Sequence, residues 1–148
     1  MSLYHPSFER DNCGFGLIAQ MDGEASHRIV RTAIHGLDRM KHRGGIASDG
    51  RTGDGCGLLM QLPLQFFEAV AAENDWHLSR KFAVGMLFLS QDEELADQAK
   101  FILERELERE TLSIAGWRKV PINPEVLGEI GKSSLPQIYQ VLINAPIG

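Results

Sequence analysis

Apolar and polar positions along the chain alternate in blocks that read as a mixed set of helices and strands. Residues 13 to 21 open with a mostly apolar run that predicts a strand, and Asp22-Gly23 comes next as a turn. Ser26 can cap a helix running to about Lys41. Its apolar positions Ile29, Val30, Ala33, Ile34, Leu37 and Met40 recur at helical spacing, while Arg28, Arg31, Asp38 and Arg39 point elsewhere. Six glycines fall between Gly44 and Gly57, a density that predicts loop and turn. Residues 57 to 62 then read as a strand halted by Pro63, which suits the first turn of a helix through Phe66, Phe67, Val70 and Ala71.

The second half continues the mixture. Residues 81 to 89 are apolar enough to predict a central strand buried on both faces. A long helix comes after it, with Leu95, Ala99, Ile102, Leu103 and Leu107 as its expected inner stripe. Residues 112 to 120 and 137 to 143 alternate as strands. Strands and helices mix without the strict alternation of a doubly wound fold, so the expected class is α+β, a sheet packed by helices. A strand-like segment runs into residues 144 to 148 with no closing element, and the expectation is a fragment of something longer.

Composition narrows the picture. At 148 residues, 43% hydrophobic and 24% charged, the chain fits a soluble globular domain with one sizeable core. It has no apolar run of membrane-spanning length and no secretion signal at its start, so a cytoplasmic location and no membrane partner are expected. The formal charge of −5 resides in residues 92 to 110, where eight acids meet Lys100, Arg105 and Arg109. No basic stripe with interleaved aromatics occurs, and nucleic acid is not expected as a partner. Two cysteines do not make a disulfide framework. The five histidines are scattered without ligand spacing, and no metal is expected.

Two segments could carry chemistry. Asp11-Asn12-Cys13-Gly14-Phe15-Gly16 sets a cysteine behind a short polar leader, residues 1 to 12. If the leader is removed, Cys13 carries both a thiol and an α-amine that titrates near ~8, close enough to neutral to serve as the thiol's base. The bland alternative is a small residue beginning a strand. The second segment, His42-Arg43-Gly44-Gly45 through Thr52-Gly53-Asp54-Gly55-Cys56-Gly57, places Arg43 at a helix end before flexible backbone. Its guanidinium could favour a thiolate or grip a carboxylate through two parallel bonds, or it could simply suit the helix dipole. This segment is neither a Walker loop nor a calcium loop.

Taken together, Asp11-Asn12-Cys13-Gly14-Phe15-Gly16, His42-Arg43-Gly44-Gly45, Asp49-Gly50, Thr52 to Gly57, Ala83 to Phe88 and Gly116 to Pro121 resemble the opening of the large subunit in the bacterial glutamate synthase family. The resemblance runs from about Tyr4 to the last residues. It implies an N-terminal class II glutamine amidotransferase domain over residues 13 to 148, of the N-terminal-nucleophile hydrolase type, with two facing sheets between helical layers, incomplete here. By the same resemblance Cys13 is the catalytic nucleophile and Arg43 the arginine beside it. L-glutamine is the substrate, cleaved to glutamate and ammonia for glutamate synthesis from 2-oxoglutarate. The family's Arg-Phe-Ser-Thr and His-Asn-Gly-Glu segments do not occur in the chain, so the substrate-binding motifs lie beyond Gly148, and little activity is expected of these residues alone. The resemblance further implies FMN, an iron–sulfur cluster and NADPH or ferredoxin as electron donor in the parent, none of them held by this stretch. Its implied partners are the remaining domains of the large subunit and a small electron-donating subunit. The alternatives are another class II amidotransferase, whose cysteine would come directly after the initiator methionine, and a non-catalytic folding or interaction module.

Overall fold

In the computed structural model, residues 14–40 and 44–146 are described. The chain is α+β and divides into two compact units, residues 1–60 and 61–148.

In the first unit the described residues form one helix, α1 (His27–Arg39), and a small hairpin-like loop. Ser26 stands at the N-cap with extended backbone, as its type predicts, but its hydroxyl donates to Gln20 Oε1 at 3.3 Å instead of capping the helix. The strands expected at residues 13 to 21 and 57 to 62 do not form among the described residues. A strand exists through its ladder, and neither segment pairs with a neighbour there. Phe15 and Leu59 accordingly stay 93% and 99% exposed, and no described residue of this unit is buried.

The second unit holds a three-stranded sheet and the core. Helix α2 (Leu64–Glu73) starts after Pro63, and the helix-period residues Phe67, Val70 and Ala71 are buried. Strand β1 (Phe82–Leu89) leads into α3 (Glu93–Arg109), then β2 (Ser113–Lys119). A 3₁₀ turn (Pro124–Val126) and the short α4 (Glu129–Ser133), neither of them predicted, precede β3 (Gln137–Asn144).

The sheet order is β1-β3-β2, and β3 is antiparallel to both neighbours. β1 and β2 therefore run parallel to each other, joined by α3, with the last strand inserted between them. This corrects the expectation for residues 81 to 89: among the described residues β1 is an edge, with Met86 and Phe88 half or more exposed, and the central place belongs to β3. Val141 and Leu142 on β3 are completely enclosed although they point to opposite faces.

One face is covered by α3. Trp117 donates its indole N–H to Glu104 at 2.9 Å, and the Lys100 ammonium sits 4.3 Å from the Tyr139 ring centre. The residues of α3 turned inward are Ala96, Lys100, Leu103, Glu104 and Leu107, so the expected stripe is corrected at three positions: Leu95, Ala99 and Ile102 are exposed. The other face receives α2. Phe67 meets Phe82 edge-on at 6.5 Å, the Arg118 guanidinium lies 5.5 Å from the Phe66 ring centre, and Trp76 lies on Gly116.

Both long helices of this unit end in the same way. After α2, Asp75 takes a left-handed backbone (φ 57), while Trp76 and Asp75 donate back to Ala71 and Ala72. After α3, Thr111 (φ 60) does the same, with Leu112 donating to Leu107 and Thr111 to Glu108. These paired bonds satisfy carbonyls that a helix end leaves open, and they turn the chain back toward the sheet. Asp92 closes the other end of α3, its carboxylate accepting from the Glu94 and Leu95 amides at 2.9 and 3.2 Å.

Candidate functional site

Cys13 and Arg43, the two side chains singled out for chemistry, lie outside the described residues, as do Lys41 and His42. Their neighbours in sequence are described. Gly14 to Gln20 run on from Cys13 without regular structure to a turn closed by Gly23 (φ 72), whose amide donates to Gln20. Helix α1 ends at its C-cap Met40, three residues before Arg43.

The glycine-rich segment after Arg43 is an ordered hairpin-like loop. Ile46 and Gly53 form an antiparallel bridge, and the Ala47 amide donates to Thr52 O at 2.7 Å. At its tip Gly50 donates to Ala47 O at 2.9 Å and adopts φ 68, a conformation that glycine accepts without strain. Two carboxylates hold this shape. Asp49 Oδ1 accepts from the amides of Arg51 and Thr52 at 3.0 and 2.8 Å, and its Oδ2 accepts from the Thr52 hydroxyl at 2.6 Å. Asp54 reaches across to accept from the Gly45 amide at 2.6 Å. A Cβ at residue 45 would lie 3.2 Å from that carboxylate oxygen, closer than ordinary contact, so glycine suits the position.

Sequence reasoning set Asp49 and Asp54 aside as calcium ligands, kept them within the family motifs, and missed their part as loop staples. The signal was present in Asp49-Gly50-Arg51-Thr52, an aspartate two and three residues before amides it can accept from. The loop opens at Gly44, next in sequence to Arg43.

Cys56 is exposed. Among the described residues, no three His, Cys, Asp or Glu side chains are placed to hold a metal ion. Two cysteines in the whole chain are too few for an iron–sulfur cluster held by several thiolates, so the residues present do not fit that group. No helix among the described residues is long and apolar enough to cross a membrane.

Comparison with known proteins gives these residues a context. Residues 13–148 match the family described as "Glutamine amidotransferases class-II". The chain is 39% identical over 138 residues to ferredoxin-dependent glutamate synthase 1 of Arabidopsis thaliana, which covers 92% of this chain and 8% of that protein. It is 38% identical over 143 residues to the large chain of the NADPH glutamate synthase of Bacillus subtilis, covering 97% and 9%. For the corresponding large chain of Azospirillum brasilense the identity is 37% over 145 residues, covering 97% and 10%. The chain thus spans a tenth or less of the length of these relatives.

Proposed function

Because the chain belongs to the class-II glutamine amidotransferases, we propose that it is the opening part of the glutaminase domain of a glutamate synthase large chain, with Cys13 as nucleophile. The observation that carries this reading is where the family match begins: at Cys13, immediately after the polar leader.

With the leader removed, the α-amine of Cys13 takes the thiol proton, and the thiolate attacks the side-chain carbonyl carbon of glutamine. The carbon–nitrogen bond breaks, ammonia leaves with the proton that the amine held, and a thioester remains. Water then adds to the thioester, glutamate departs and the thiol is restored. Arg43, next in sequence to the loop that opens at Gly44, supplies positive charge that favours the thiolate or the substrate carboxylate. With the leader attached, the amine is locked in an amide and cannot act as base.

The fold in this reading is the N-terminal-nucleophile hydrolase type, of which these residues are a portion. FMN, the iron–sulfur cluster and the NADPH or ferredoxin donor belong to the rest of the parent, as does contact with a small electron-donating subunit. Substrate-holding and oxyanion groups are supplied from beyond Gly148. Loss of a single oxyanion donor costs ~10²–10³ in rate, so the isolated chain has little or no glutaminase activity.

The test is the mass of the chain, alone and extended to the whole large chain, after exposure to a glutamine-mimicking electrophile. The extended protein is expected to lack residues 1 to 12 and to carry one adduct, absent in Cys13→Ala, whose ammonia release falls about 10³-fold or more. An adduct that persists in Cys13→Ala would overturn the assignment.

A further inference from the structure

We draw no further inference here: the strongest candidate, the open part of the sheet face that receives α2, where Met86, Phe88 and Phe66 stand exposed beside Arg118, carries nothing because nothing in the structure shows what covers it.

Discussion

The indole of Trp76 lies so close to Gly116 that a methyl group built on residue 116 would overlap the ring. Trp76 is delivered there by the reversed turn that ends α2, and Gly116 sits on β2 opposite the buried Leu142. Gly116→Ala is therefore expected to destabilise the second unit by about 1–3 kcal/mol through overpacking, read as a lower urea midpoint. The cost should shrink in a Trp76→Ala background, because the two changes share one contact.

Thr111 is a β-branched residue held at φ 60, where its side chain crowds the backbone. Thr111→Gly is expected to raise the stability of the second unit by about 1 kcal/mol, with the melting temperature rising accordingly. Asp75→Gly, at the equivalent turn after α2, should gain less, since aspartate tolerates this conformation better.

Asn144 is a buried polar residue and ties the strand ends to the segment after α2. Its amide oxygen accepts from the Ser79 N–H at 2.8 Å, and its amide nitrogen donates to His77 O at 2.9 Å. Asn144→Ala leaves both backbone groups without these partners and should cost about 1–3 kcal/mol. Hydrogen exchange at the Ser79 amide is the measurement, and faster exchange there is expected.

Asp54 is the staple that joins the two arms of the loop after Arg43. In Asp54→Ala the Gly45 amide loses its acceptor and should exchange at least about tenfold faster, while the amides of β3 stay unchanged. If Arg43 acts as proposed, the same substitution in the whole large chain lowers glutaminase activity without removing the nucleophile.

Period and alternation sufficed to locate α1, α2, β2 and β3 in the sequence, because each carries its own apolar spacing. What failed was information that no single segment holds. The run in β1 is apolar throughout and reads as central, yet position in a sheet is set by the number of neighbours, and β3 took the middle. In α3 the most apolar stripe was expected inside. Lys100 and Glu104 turn inward because they find Tyr139 and Trp117, leaving Leu95 and Ile102 outside. The segments at 13 to 21 and 57 to 62 have strand-like composition but no ladder partner among the described residues. Around the candidate site, the motifs pointed to Cys13 and Arg43 and to family membership. The hydrogen bonds that shape the neighbouring loop needed coordinates, since the bond from Gly45 to Asp54 spans nine residues.

The insertion of β3 between β1 and β2 dictates an order of events during synthesis. In the folded sheet both earlier strands pair with β3 and not with each other, so these ladders wait for Gln137 to Asn144. Until those residues leave the ribosome, two strands offer open edges and β1 is unshielded. A pause in translation just before residue 137 would thus prolong the interval in which this protein is most prone to aggregate or to need a chaperone.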